Sequence, residues 1–294
     1  CINFDYCFVV SRLGGSYVVL PKFWRPSAPG GRAFVSRDPD AAQRLQPVQN
    51  KIYANLEKFE NVKIVTDTTV FAYMHHNYLL ACQKINNANI RQIIWKIRAK
   101  KVILATGSIE RSLTFNNNDR PGIMLANSAS KFLNYYGVYV GKKVIVFTNN
   151  DSAYQTAIDF HQKGITVQAI VDVRSESQGD LPQRAKSLGL KIYNNHAITN
   201  TSGRLKIQTV AINKIDDSIK NINSSTKIIK CDLLCISGGW TPTVHLFTQS
   251  KGKLIYREKE GVFIPHESFQ DCLSIGACNG TFALDAILNE TFTK

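Results

Sequence analysis

Three stretches of the chain run from apolar residues into small ones. Residues 102–107 read V-I-L-A-T-G, residues 231–239 read C-D-L-L-C-I-S-G-G, and residues 272–280 read C-L-S-I-G-A-C-N-G. Apolar β-formers followed by Gly or Thr mark a buried strand ending at a loop that a ligand can approach. In open α/β sheets, ligands gather outside such strand ends. After Gly276 a helix is expected from about Thr281, which would turn backbone N–H groups toward an anion. The chemistry implied is the holding of a phosphate-bearing ligand by main chain, with side chains kept out of the way.

A fourth exit lacks this character. Residues 142–154 read as strand, turn and helix, but the turn is Thr148-Asn149-Asn150-Asp151, without glycine. Side chains there would keep a pyrophosphate off the backbone, and Asp151 would set a negative charge against it. The strand 166–171 ends at Asp172, where a Rossmann unit holds a ribose hydroxyl. With the phosphate half of the site missing, Asp172 reads as a relic or a surface acid.

No set of side chains has the spacing of a catalytic triad, so no catalytic residue is assigned. His245, in W-T-P-T-V-H-L-F, is read as a histidine bonded at a helix start, the alternative being a proton-handling group. His75-His76 reads as a polar turn. Glu110-Arg111 is compatible with an intradomain pair and with a polar contact near a cofactor. Trp240 could stack on a ring or pack at a domain interface. The seven cysteines contain no C-x-x-C. Cys231, Cys235, Cys272 and Cys278 lie on apolar strands, so they are read as buried structural thiols and no metal site is assigned.

These exits need elements to position them. A helix is expected over 47–59, strands over 62–73, 78–84 and 92–98 with a turn at 86–89, and then the 102–107 strand. A helix over 124–136 should be capped by Gly137, and the helix from Ser152 to Lys163 should stop at Gly164. A short helix over 182–188 and strands over 190–193, 206–213, 226–229 and 232–237 follow. The fold class expected is α/β, with two Rossmann-like domains, the second inserted in the first. Residues 1–114 and 260–294 would form a dinucleotide-binding domain, incomplete at its N-terminus, and 115–259 a degenerate inserted one. Residues 1–29 match nothing, and Pro21, Pro26 and Pro29 argue against a long regular element there. The first residue is Cys1 rather than Met, which suggests a fragment.

Bulk properties exclude some classes. At 294 residues and 44% apolar content, two ordinary domains with real cores are possible. The net charge of +14 comes without a basic block interleaved with aromatics, so it reads as lysine on solvated faces and no nucleic-acid partner is expected. No apolar run reaches the roughly 18 residues of a membrane span, and no basic–apolar–small leader opens the chain. The expected location is cytoplasmic, with no membrane partner.

The A-T-G exit, D-L-L-C-I-S-G-G-W-T-P and L-S-I-G-A-C-N-G occur in the order and approximate spacing of two-domain flavoprotein and pyridine-nucleotide oxidoreductases. Longer stretches are more specific. T-T-V-F at 68–71, G-S-I-E-R, N-D-R-P-G-I-M-L-A, V-I-V-F-T-N-N-D-S-A-Y and the run from Cys231 to Leu254 resemble the alpha subunit of heterotetrameric sarcosine oxidase, over roughly residues 30–290. The resemblance implies a complex with beta, gamma and delta subunits that oxidises sarcosine to glycine. Amine oxidation is implied at FAD in the beta subunit, electron transfer at FMN on the alpha–beta interface, and tetrahydrofolate as acceptor of the methyl carbon. For this chain it implies NAD, contacted by Gly30, Gly31, Arg32, Val70, Thr106, Gly107, Gly276, Ala277, Asn279 and Gly280. Ala277 stands where the wider superfamily has an Asp that would bind the FAD ribityl chain, which suits NAD better.

The departures from that family are as informative. Its first strand and G-x-G-x-x-G should lie just before Gly30, and they are not found there. Without that loop the pyrophosphate has no cradle, and the folate domain expected after Asn289 is not in this sequence. Two rival readings follow: a self-contained FAD-dependent NAD(P)H reductase, against which the N-N-D turn speaks, and a non-catalytic scaffold that has lost its cofactor.

Overall fold

The computed structural model describes residues 2–12, 15–19, 64–65, 67–85, 87, 89–216 and 222–293. Gly30, Gly31, Arg32 and the helix expected over 47–59 lie outside the described residues. The chain divides into two compact units, with breaks between Ile109 and Glu110 and between Gly239 and Trp240.

The first unit is built on a seven-stranded sheet in the order β3-β2-β1-β6-β5-β4, with β19 also paired to β6. Its leading strands are β1 (Ile2–Arg12), β2 (Gly15–Val19), β3 (Ile64–Val65), β4 (Thr68–Met74), β5 (Tyr78–Lys84) and β6 (Gln92–Ala105), followed by the short β7 (Ser108–Glu110). The 92–98 and 102–107 strands expected separately are one fourteen-residue strand, β6. Its first half runs antiparallel to β5, with Tyr78 opposite Arg98, and its second half parallel to β1, with Val10 opposite Ala105. Lys100-Lys101 does not break it, because alternation lets Lys100 stay exposed while Ala99 and Val102 are buried.

The second unit opens with β8 (Ile123–Leu125) and α1 (Ala126–Tyr136), then β9 (Lys143–Thr148), α2 (Ser152–Gln162), β10 (Thr166–Asp172), α3 (Asp180–Ser187) and β11 (Ile192–Tyr193). An antiparallel meander of β12 (His196–Ser202), β13 (Thr209–Ile215) and β14 (Ile222–Lys230) leads back to β15 (Leu233–Ser237). The parallel sheet has the order β11-β10-β9-β15-β8. Its central strands are buried on both faces, so they read as continuous apolar runs. Leu133, Ala157, Ile158 and Phe160 from the helices cover one face. Ile198, Ile207, Val210 and Ile212 of the meander region cover the other. Gly137, in the left-handed region at φ 66°, closes α1 and donates its N–H to the Phe132 carbonyl.

The chain returns to the first unit through β16 (Trp240–Pro242), α4 (His245–Gln249), the hairpin β17 (Lys253–Arg257) and β18 (Val262–Glu267), and β19 (Cys272–Ser274). A single 3-10 turn, Gly276–Asn279, and α5 (Leu284–Thr293) follow. Val65, Val70, Tyr73, Leu79, Ala81, Ile97, Val102, Leu104 and Phe247 form the core of this unit.

Several expectations need correction. The first segment is not without a regular element: β1 is eleven residues long, because Ile2, Phe4, Tyr6 and Phe8 alternate along it at the period of a strand, Val9 and Val10 follow, and the prolines come only after residue 20. The compact units divide at 109/110 and 239/240, where the sequence reading set domain limits at 114/115 and 259/260. Trp240–Pro242 pairs with the strand Ser108–Glu110, and the β17–β18 hairpin follows it within the first unit. The helix expected from Thr281 begins at Leu284; the turn Gly276–Asn279 is closed separately by Gly280, in the left-handed region at φ 78°. Strand β12 was not foreseen; its sequence, H-A-I-T-N-T-S, is polar and does not alternate, because a register shift between Ile198 and Asn200 brings both Ile198 and Thr201 to buried positions.

Candidate ligand-binding turns

In the first unit the structure brings two of the predicted exits side by side. β19 lies parallel to β6 with Ser274 opposite Leu104. Beyond the paired segment, the Ile275 N–H donates to the Leu104 carbonyl at 3.0 Å, and the Cys278 thiol donates to the same oxygen at 3.1 Å. The Thr106-Gly107 turn and the Gly276–Gly280 turn therefore leave the same end of two neighbouring parallel strands. Gly107 and Gly276 both lie in the left-handed region, at φ 73° and 72°, which side-chain-bearing residues rarely adopt.

The side chains at these turns are already engaged. Thr106 is buried and its hydroxyl donates to the Thr243 carbonyl at 2.6 Å, while the Thr243 N–H donates to the Gly107 carbonyl at 2.9 Å. Thr106 thus fastens the exit of β6 to the loop after β16. At the second turn the Gly276 N–H donates to Glu290 Oε2 at 2.9 Å, and Asn279 Nδ2 donates to Glu290 Oε1 at 2.6 Å. Sequence reasoning missed Glu290, which sits on α5 with nothing in its local sequence to mark it. A Cβ on Gly280 would lie 2.7 Å from Ile264 Cγ2, so glycine is required there by packing as well as by φ. Val70 is a buried core residue of β4, two strands away from β6 in the sheet, and is not part of this constellation.

The strand–turn–helix unit that would cradle a pyrophosphate is not formed after β1. β1 folds back into antiparallel β2, with Arg12 opposite Gly15. The Gly107 and Gly276–Gly280 turns fit one side of a dinucleotide; the exit of β1 does not supply the other.

In the second unit the turn from β9 to α2 is filled by its own side chains. Asn150 Nδ2 reaches the Ser237 hydroxyl at 3.0 Å, and the Ser152 hydroxyl donates to Asn150 Oδ1 at 2.6 Å. Asp172 is fully buried rather than a surface acid. It accepts hydrogen bonds from the Tyr154 hydroxyl at 2.7 Å and from Arg174 Nη2 at 2.7 Å. Arg174 also pairs with Asp151 at 2.7 Å. Burial opposes the charge on Arg174, but the hydrogen bonds and charges of Asp172 and Asp151 outweigh it and hold the guanidinium firmly protonated. Burial, with Asp172 beside it, pushes the Tyr154 phenol up. The carboxylate that would bind a ribose is committed to this internal network.

Glu110 resolves as a structural residue: its Oε2 accepts the Asn127 N–H at 2.9 Å. The Arg111 N–H donates to the Gly239 carbonyl at 2.8 Å. His245 opens α4 but is exposed, and its carbonyl accepts the Thr248 hydroxyl. Cys231, Cys235 and Cys278 are buried and free. Burial, with Asp232 adding to it, pushes the Cys231 thiol up to about 12; burial also pushes Cys235 up, helped by Glu110. Among the described residues no cluster of metal-ligating side chains is found, and no helix is long and apolar enough to cross a membrane.

No protein-family model matches the chain. Among solved structures it is similar to thioredoxin reductase from T. acidophilum, at 17% identity and a TM-score of 0.61, covering 84% of this chain and 75% of that one. Thioredoxin reductase from Lactococcus lactis gives a TM-score of 0.59 at 16% identity, covering 85% and 77%. These likenesses show the fold: α/β, with two Rossmann-like domains, the second inserted in the first. Among curated sequences it is 34% identical over 286 residues to sarcosine oxidase subunit alpha of Corynebacterium sp. (strain U-96), covering 92% of this chain and 28% of that protein. The corresponding subunit of Rhizobium meliloti (strain 1021) is 29% identical, with 80% of this chain and 23% of that protein covered. The chain is thus a relative of the sarcosine oxidase alpha subunit, similar to it along most of its own length and spanning about a quarter of the length of the relatives it matches.

Proposed function

We propose that this chain is the nucleotide-binding part of an oxidoreductase subunit of the sarcosine oxidase type. The observation that carries the reading is the 34% identity to a sarcosine oxidase alpha subunit over 286 residues. In this reading the first unit is the nucleotide holder and the second a structural insert. The Asp172–Arg174–Asp151 network and the filled 148–151 turn support the second half of that statement. Gly107, Gly276, Ala277, Asn279 and Gly280 would line the ligand, NAD being the dinucleotide favoured, with Thr106 holding the β6 exit in place. Gly30, Gly31 and Arg32 would complete the site.

In this reading the chain's own residues position the nucleotide, and none is assigned a catalytic role. Amine oxidation is assigned to FAD on a beta-type partner, electron transfer to FMN between subunits, and tetrahydrofolate to the wider complex with gamma and delta subunits, in the cytoplasm. The same 148–151 turn disfavours a stand-alone FAD-dependent NAD(P)H reductase.

The test is the visible absorbance of the purified 294-residue chain, with chromatography of the nucleotide released on denaturation. NAD released without flavin supports the reading. Released FAD moves the assignment to a self-contained reductase, and a nucleotide-free protein moves it to a scaffold.

A further inference from the structure

The Gly276 turn already holds an anion, and that anion belongs to the chain itself. Glu290 sits on α5 with one carboxylate oxygen on the Gly276 N–H at 2.9 Å and the other on Asn279 Nδ2 at 2.6 Å. Two donors meeting two oxygens of one carboxylate is the pattern by which a turn recognises a carboxylate or phosphoryl group. Two residues before Gly276, the Ser274 hydroxyl is buried and has no hydrogen-bond partner among the described residues. The turn therefore has a resident ligand, and the strand that leads into it carries an unused buried hydroxyl.

We infer that Glu290 is an internal competitor for the Gly276–Asn279 turn, and that a phosphoryl or carboxylate group of an incoming ligand binds there only by displacing it. Both donors are engaged by Glu290, and a second anion arriving while Glu290 stays would face a like charge at hydrogen-bonding range. Displacement costs the chain a tether between α5 and the strand exit, so ligand entry and docking of α5 oppose each other. This inference rests on the reading of Gly276 and Asn279 as ligand-facing.

The experiment titrates the 294-residue chain with NAD and, separately, with inorganic pyrophosphate by calorimetry. The parent protein is compared with Glu290→Ala and Glu290→Gln, each checked for an unchanged circular dichroism spectrum. Removing the carboxylate is expected to tighten binding about tenfold or more. Glu290→Gln, which keeps an acceptor and loses the charge, should fall between parent and Glu290→Ala, and it carries the test if the alanine variant does not fold. Equal affinity across all three proteins for both probes overturns the inference and leaves the nucleotide reading in place. Pyrophosphate gaining affinity in the variants while NAD binds none of them sinks the nucleotide reading and keeps the role of Glu290. Failure of both probes with every protein overturns both.

Discussion

The Glu110 carboxylate accepts a hydrogen bond at 2.9 Å from the backbone N–H of Asn127, in the first turn of α1. The helix's own N-cap, Leu125, offers no side-chain acceptor, and its first turn contains no acidic residue. A carboxylate from the end of β7 therefore satisfies an orphan N–H and faces the positive end of the helix dipole. Glu110 is buried, so losing it also leaves that N–H without its partner. Glu110→Ala is expected to lower unfolding stability by about 1–3 kcal/mol, read as a lower urea midpoint with an unchanged slope, and Glu110→Gln by less. A midpoint unmoved by either change would refute this role.

Arg174 holds the fully buried Asp172 and the partly exposed Asp151 together. Arg174→Gln should destabilise the protein by about 3 kcal/mol, because a buried carboxylate is left without its cation. Asp172→Asn in that background should recover much of the loss, since the uncompensated charge goes with it. Two independent, additive losses in thermal unfolding would show that the two groups do not act as a pair.

The buried thiols make a prediction about pH. Cys231 is held at about 12, against an ordinary thiol value near 9, chiefly by burial. A folded value above the unfolded one means this stabilising contribution is complete below about pH 9. It drains away as pH rises from there toward 12. Each pH unit in that window removes up to about 1.4 kcal/mol. Unfolding titrations between pH 8 and 10.5 should therefore show a shallower alkaline loss for Cys231→Ala than for the parent. In the native protein at pH 8, Cys231 and Cys235 should resist iodoacetamide, as mass spectrometry of the labelled peptides can check.

Thr106 provides a test that separates fold from ligand. Its hydroxyl is spent on the Thr243 carbonyl at 2.6 Å, so Thr106→Val should cost about 1–2 kcal/mol of stability. Thr106→Ser, which keeps the donor, should cost less. If Thr106→Val left thermal stability intact while abolishing nucleotide binding, the hydroxyl would be a direct ligand group.

Much of this protein was legible from local grammar. Apolar runs ending in Thr106-Gly107 and Gly276, the cap at Gly137, and the glycine-free turn at 148–151 each depend on residues close together in sequence. Propensity and φ preference act at that range, so these features could be read directly. The structure alone decided the partners. That residues 92–105 form one strand depends on β5 at one end and β19 at the other. That Asp172 is buried depends on Arg174 and Tyr154 closing around it. That Glu110 caps α1 and Glu290 fills the Gly276 turn depends on elements brought together by the sheets. A carboxylate has the same local sequence signal whether it faces water, a helix end or a glycine turn. Which of these it meets is set by long-range packing.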